Sequence, residues 1–250
     1  MTRDLTEGWE YGVLGLKDPD DAGGLAPYFD FIRDHLDLPG DVCEVGVFRG
    51  RSLIATGLHL RRLGSDKRVV GFDSFAGFPT YAPEDEPATF EALHEAGAIS
   101  DAHLARVRLN REHLAAVGRD PSPSAASSSG DFGGTSVDAV LAKAAYLGLE
   151  NVDVVEGPFA ETMTADRDPD RRFMAALVDC DLYESYRVSL PYVWERLVPG
   201  GFVFLDEYYS LKFPGARVAT DRFFADLDAA PELLRVDPNG FERWGVWKPT

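Results

Sequence analysis

The stretch Val42-Cys43-Glu44-Val45-Gly46-Val47-Phe48-Arg49-Gly50-Arg51-Ser52 decides the fold. Val42–Val47 is a short apolar run that enters a glycine-containing turn, and Ser52–Leu63 continues with helical spacing. Strand, glycine turn and helix in that order open a doubly wound α/β sheet, whose ligands gather at the carboxyl ends of the strands. Glycine lets backbone N–H groups approach a ligand closely, and the start of the next helix favours a negative group. The spacing is not Gly-x-Gly-x-x-Gly. Phe48 stands where that pattern has the glycine that admits a pyrophosphate, which disfavours a nicotinamide dinucleotide.

Working outward, Arg68–Asp73 reads as the second strand. Its terminal acid, Asp73, is expected to accept hydrogen bonds from both hydroxyls of a ribose. Glu44 and Asp73 on adjacent strand ends, with a glycine turn between them, point to a nucleoside-type cofactor. Further strands are expected at Val152–Glu156, Met174–Asp181 and Gly201–Asp206. Helices are expected over 24–37, from the Thr135–Asp138 start signal to Leu147, and at Ser185–Leu197 and Arg217–Leu227. Apolar strands alternating with helices predict a mostly parallel sheet covered on both faces. Leu233–Val236 and Phe241–Val246 carry Arg and Glu among apolar residues and read as antiparallel edge strands. One domain is expected, with an N-terminal helical extension over 1–38. Residues 80–134 form a lid or acceptor-binding insertion, because they show no strand pattern and include the Ser/Gly/Pro-rich tract 121–134.

The net charge of −17 repels phosphate backbones and anionic surfaces, so neither nucleic acid nor membrane is an expected partner. The polar start of the chain has no signal-peptide core. The two cysteines, Cys43 and Cys180, lie in strand-like runs and cannot build a disulfide framework or a zinc site. The expected location is the cytoplasm.

A second site is written at two later strand ends, Val178-Asp179-Cys180-Asp181 and Leu205-Asp206-Glu207. Residues i and i+2 of a strand share a face, so Asp179 and Asp181 are expected to point the same way. If the strands are neighbours, four carboxylates crowd together and repel. A hard divalent cation such as Mg²⁺ resolves the conflict. His94, His103 and His113 of the insertion are alternative bases. Tyr183, Tyr208 and Tyr209 flank the acids and are candidate pocket walls.

Several motifs carry a resemblance. They are 44–52, Gly-Phe-Asp-Ser-Phe-Ala-Gly-Phe-Pro (71–79), Gly-Asp-Phe-Gly-Gly-Thr-Ser (130–136), Glu-Gly-Pro-Phe (156–159), Asp-Cys-Asp-Leu-Tyr-Glu-Ser (179–185) and Pro-Gly-Gly-Phe-Val-Phe-Leu-Asp-Glu-Tyr (199–208). The set resembles a class I S-adenosylmethionine-dependent methyltransferase. More narrowly, it resembles the macrocin O-methyltransferase family, which methylates sugar hydroxyls in macrolide and aminocoumarin biosynthesis. The resemblance implies a Rossmann-like seven-stranded sheet and a homo-oligomer. It implies S-adenosylmethionine contacts from Glu44, Gly46, Phe48, Arg49, Ser52, Asp73, Ser74, Gly157, Phe159 and Asp179. It implies Mg²⁺ held by Asp179, Asp206 and Glu207, with Asp181 as general base. Glu207 stands where the family pattern usually has Asp. A catechol or other vicinal diol is the alternative acceptor, since the same metal geometry serves any adjacent oxygen pair. A nicotinamide-dependent sugar oxidoreductase and a non-catalytic binding protein are the further alternatives.

Overall fold

The structure, a computed structural model, describes residues 3–78, 80–127 and 132–250. Seven strands form one sheet: β1 (Asp41–Val45), β2 (Val69–Asp73), β3 (Val152–Glu156), β4 (Phe173–Val178), β5 (Leu197–Leu205), β6 (Glu232–Val236) and β7 (Glu242–Trp247). Their order is β3-β2-β1-β4-β5-β7-β6. The first five run parallel, and β7 pairs antiparallel with both β5 and β6. The antiparallel strand is therefore one place in from the edge, and β6 takes the edge with partly exposed residues. β4 is buried at every position, as an unbroken apolar run in a sheet covered on both faces must be.

The strand order reverses at β1, which pairs with β2 on one side and β4 on the other. Val45 lies level with Val178, and Val178 with Leu205. This register brings the residues that follow β1, β4 and β5 to one end of the sheet. Helices Ala26–Asp34 and Arg51–Arg62 cover one face through Phe29, Ile32, Leu53 and Leu58. Helices Tyr183–Arg196 and Gly215–Phe224 cover the other through Tyr186, Leu190, Val193 and Ala219.

One local expectation changes. Helix Val137–Leu147 is capped by Ser136, whose Oγ accepts the Ala139 N–H at 3.2 Å. Thr135, the expected cap, instead donates its hydroxyl to the Phe48 carbonyl. In the insertion, the helix-like pattern over 84–118 is met by two helices. Helices Ala88–Glu95 and Asp101–Ala116 enclose a small core of Phe90, Ile99, Leu104 and Val107. Residues 128–131 of the expected lid, with Gly130 and Asp131 of its motif, lie outside the described residues. Among the described residues no helix is long and apolar enough to cross a membrane.

Gly46 makes the closest contact between neighbouring strand ends. Its φ is 89°, and a Cβ there would sit 1.9 Å from the Asp179 carbonyl oxygen. No side chain fits without parting β1 from β4. Gly46→Ala is expected to cost roughly 3 kcal/mol or more in a denaturant titration, from strained φ and steric overlap together. A loss below about 0.5 kcal/mol, the range of a neutral surface change, would contradict so close an approach.

Candidate active site

Asp73 braces the first turn. Its Oδ2 accepts the N–H groups of Val47 at 2.8 Å and Phe48 at 2.7 Å, and its Oδ1 accepts that of Phe75 at 2.8 Å. These bonds hold Phe48 at a left-handed φ of 48°. A carboxylate offers about four acceptor directions, so about one remains for a ribose hydroxyl rather than the expected two.

Glu44 is fully buried beneath the turn, where its Oε1 accepts the Ser52 hydroxyl at 2.8 Å. It does not reach the cavity, so the expected contact with a cofactor is corrected to support of the turn from below. Gly157 likewise stands behind the wall, which Pro158, Phe159 and Ala160 form instead. Gly46, Phe48, Arg49, Ser52, Asp73, Ser74, Phe159 and Asp179 do line one cavity, of about 880 Å³, together with Asp181, Asp206 and Glu207.

Burial pushes the Glu44 carboxyl up from 4.5 to about 8. Below its unfolded value it is protonated in both states, and its contribution to stability is fully present. As the pH rises from about 4.5 to about 8 the unfolded chain ionises first, so stability is lost across that window. Glu44→Gln is expected to remove a fall of order 2–4 kcal/mol between those limits, read from unfolding free energies against pH. Identical pH slopes for the two proteins would contradict a protonated Glu44.

The second turn gathers its acids differently from the strand pleat. β4 ends at Val178, and Asp181 adopts a left-handed φ of 60°. Asp179, Asp181 and Glu207 each present an oxygen within 4.8 Å of the others. Asp206 is not in this trio. Its Oδ1 lies 3.7 Å from the Arg243 guanidinium on β7. Of the expected Asp179, Asp206 and Glu207, the geometry groups Asp179 and Glu207 with Asp181 and leaves Asp206 outside. Burial first, then repulsion from Asp206, Asp181 and Glu207, raises the Asp179 carboxyl far above its usual range. Asp181 is raised by burial and by Glu207. Glu207 is pushed up by burial to about 7, and Lys212 opposes the shift. Crowding of carboxyls in this way favours either a shared proton or a bound cation, each of which relieves the repulsion. Their oxygen-only donor set and mutual spacing fit a small divalent ion such as Mg²⁺.

The insertion is bolted to this region. Asp85 is fully buried; its Oδ1 accepts the Tyr183 N–H at 2.8 Å and its Oδ2 the Ala82 N–H at 2.9 Å. It thereby caps the helix that follows Asp181. Arg222 donates to both Glu84, at 2.8 Å, and the Tyr183 hydroxyl, at 2.6 Å. Sequence reasoning missed Asp85, because nothing local marks it beyond a Pro-Glu-Asp turn. Phe48, Phe78 and Phe132 form an aromatic wall, with Phe132 5.1 Å from Phe48 and 5.0 Å from Phe78 between ring centres.

The alternative bases and wall residues are engaged elsewhere. His103 bonds the Ser210 carbonyl at 2.7 Å and stacks on Tyr209, and His94 pairs with Asp101. Tyr208 donates to Asp221. None of these, nor His113 or Tyr183, lines the cavity.

A family profile described as "Methyltransferase domain" matches residues 43–208, the span that holds both turns and all of the parallel strands but the first two residues of β1. The chain belongs to that methyltransferase family. This methyltransferase-family chain is 30% identical over 173 residues to 8-demethyl-8-(2,3-dimethoxy-alpha-L-rhamnosyl)-tetracenomycin-C 4'-O-methyltransferase of Streptomyces olivaceus, covering 68% of the chain and 54% of that relative. It is 27% identical over 207 residues to mycinamicin III 3''-O-methyltransferase of Micromonospora griseorubida, covering 81% of the chain and 67% of the relative. The aligned stretch therefore spans about half of the first relative and two thirds of the second. In fold it is similar to the O-methyltransferase NovP, with a TM-score of 0.59 and 24% identity over 88% of this chain and 78% of that one. It is also similar to the calicheamicin methyltransferase CalS11, with a TM-score of 0.60 and 22% identity over 88% and 77%.

Proposed function

We propose that the chain is an S-adenosylmethionine-dependent, Mg²⁺-dependent O-methyltransferase acting on a hydroxyl of a sugar or glycosylated natural product. The observation that carries the reading is that one cavity holds both the glycine turn braced by Asp73 and the carboxylates after β4 and β5. The methyltransferase family and the sugar O-methyltransferase names of both relatives support it.

Each residue then has a task. The start of helix Arg51–Arg62, where the turn ends, serves the donor. Ser74 and Phe159 bound its nucleoside end, and the aromatic wall excludes water. Asp179 and Glu207 hold the divalent ion, because Mg²⁺ needs only one or two carboxylates besides water and substrate oxygens. Held by Asp179 and Glu207, such an ion would polarise an acceptor oxygen and make its proton easier to remove. Asp181 takes that proton: it lies beside the pair, and burial raises its proton affinity. Asp206 stays with Arg243 and sets the local charge. Lining up the hydroxyl with the methyl–sulfur bond supplies several kcal/mol of the rate enhancement. The insertion covers the acceptor end of the site.

One observation favours a second reading. Three phenyl rings lining the same cavity as the acids suit a flat catechol or similar vicinal diol. The purified chain, given S-adenosylmethionine and Mg²⁺, is expected to transfer methyl to deoxysugar glycosides in a mass-spectrometric screen. Methylation of catechols alone would move the conclusion to the second reading. Failure to bind S-adenosylhomocysteine would overturn both.

A further inference from the structure

A lysine stands among the acids of the cavity without a task in the proposed chemistry. Lys212 lines the cavity together with Asp179, Asp181, Asp206 and Glu207. Its Nζ lies 5.4 Å from the centre of the Phe213 ring, and Phe213 packs edge-on against Phe78 of the aromatic wall. Lys212 makes no ion pair within 4.0 Å among the described residues. Its charge still reaches the acids. Burial raises the carboxyls of Asp181, Glu207 and Asp206, and the Lys212 ammonium opposes the rise at each. Arg243 helps at Glu207 and Asp206, but it is committed to Asp237 at 2.8 Å. The ammonium is near enough to balance the carboxylates and too far to occupy their oxygens.

The insertion holds Lys212 in this place. Helix Asp101–Ala116 grips the loop that carries it. The His103 Nε2–H donates to the Ser210 carbonyl at 2.7 Å, and its ring stacks on Tyr209 with centres 3.9 Å apart. A carbonyl only accepts, so Nε2 bears the hydrogen. About two turns further along the helix, the Asn110 Nδ2 donates to the Leu211 carbonyl at 3.5 Å. Leu211 packs on the small core of the insertion. Within the loop, the Ser210 Oγ accepts the N–H groups of Lys212 at 3.1 Å and Phe213 at 2.9 Å. His103, Tyr209, Ser210 and Phe213 are all buried, so the backbone on both sides of Lys212 is fixed.

We propose that Lys212 is the resident counter-charge of the trio Asp179, Asp181 and Glu207, set in place by His103 of the insertion, and that it weakens the hold of the trio on a divalent cation. An ammonium has three donors and no lone pair, so Lys212 opposes the ion without being a ligand. One ammonium against three carboxylates leaves the site attractive to a divalent ion, but less so than the acids alone would make it. The inference rests on the proposed Mg²⁺-dependent reading of the same acids.

Mn²⁺ titration, followed by its paramagnetic signal, tests this on the full chain and on Lys212→Met, Lys212→Arg and His103→Phe. Lys212→Met keeps the length of the side chain without its charge. It is expected to bind Mn²⁺ about tenfold or more tightly than the unmodified chain, the scale of a lost repulsion across several ångströms of partly buried site. Lys212→Arg keeps the charge and should retain the unmodified affinity. His103→Phe keeps the ring on Tyr209 but loses the donor, and should shift Mn²⁺ binding in the same direction by less. S-adenosylhomocysteine binding, read by calorimetry, is expected to be equal in all four proteins. Unchanged or weaker Mn²⁺ binding by Lys212→Met overturns the proposal, as does equal tightening by Lys212→Arg. Loss of S-adenosylhomocysteine binding in Lys212→Met alone marks a structural role and also overturns it. Unchanged Mn²⁺ binding by His103→Phe removes the insertion from the proposal. If only Lys212→Met takes up Mn²⁺, the counter-charge stands and the Mg²⁺-dependent reading fails; if neither it nor the unmodified chain does, both fail.

Discussion

Asp181→Asn is expected to lower turnover by about 10²–10⁴-fold, the usual loss when a positioned base is removed. The substitution keeps the size and most of the hydrogen bonding of the side chain, and asparagine tolerates the left-handed backbone that Asp181 adopts. S-adenosylhomocysteine binding is therefore expected to stay unchanged. Mn²⁺ binding, followed by its paramagnetic signal, is expected to stay within about tenfold, because Asp179 and Glu207 remain. Asp179→Asn and Glu207→Gln should instead lose cation binding and turnover together. The contrast separates two roles that the geometry brings within one trio. If Asp181→Asn abolishes Mn²⁺ binding as fully as Asp179→Asn does, Asp181 is a ligand and the base lies elsewhere.

Removal of divalent ions by EDTA is expected to abolish methyl transfer, with a loss above about 10²-fold, and added Mg²⁺ to restore it. Burial and mutual repulsion raise the proton affinity of Asp179, Asp181 and Glu207, so cation binding is expected to compete with protons. Thermal unfolding gives a readout independent of turnover. At about 100 times its dissociation constant, Mg²⁺ should add about 2.7 kcal/mol of stability if it binds only the folded chain. Full turnover in chelator, with no stabilisation by Mg²⁺, would remove the cation from the proposed function.

The sheet was legible because its signals are local. Val42–Ser52 spells strand, turn and helix in one stretch, and the unbroken apolar run of β4 announces a strand buried on both faces. The site was legible to the level of which strand ends bear acids, not of how those acids point. Glu44 carried a readable clue: an acid inside a doubly covered strand faces the core, and only the residues after the strand reach the cavity. The Asp206–Arg243 pair had none, because it depends on β7 entering the sheet between β5 and β6. The insertion misled in composition. Its Ser/Gly/Pro tract suggested a polar flap, whereas the described wall is phenyl rings contributed singly by Phe48, Phe78 and Phe132 from separate segments.

At Gly46, main chain presses on main chain, with no side chain between the two turns to absorb a shift. A shift of one turn is passed to the other, so if both halves of the cavity take ligands, their occupancies are expected to be linked. The factor by which a nucleoside ligand strengthens ion binding must equal the factor by which the ion strengthens nucleoside binding. On the proposed function, a bare α-carbon thus makes the donor and ion halves of one cavity answer together.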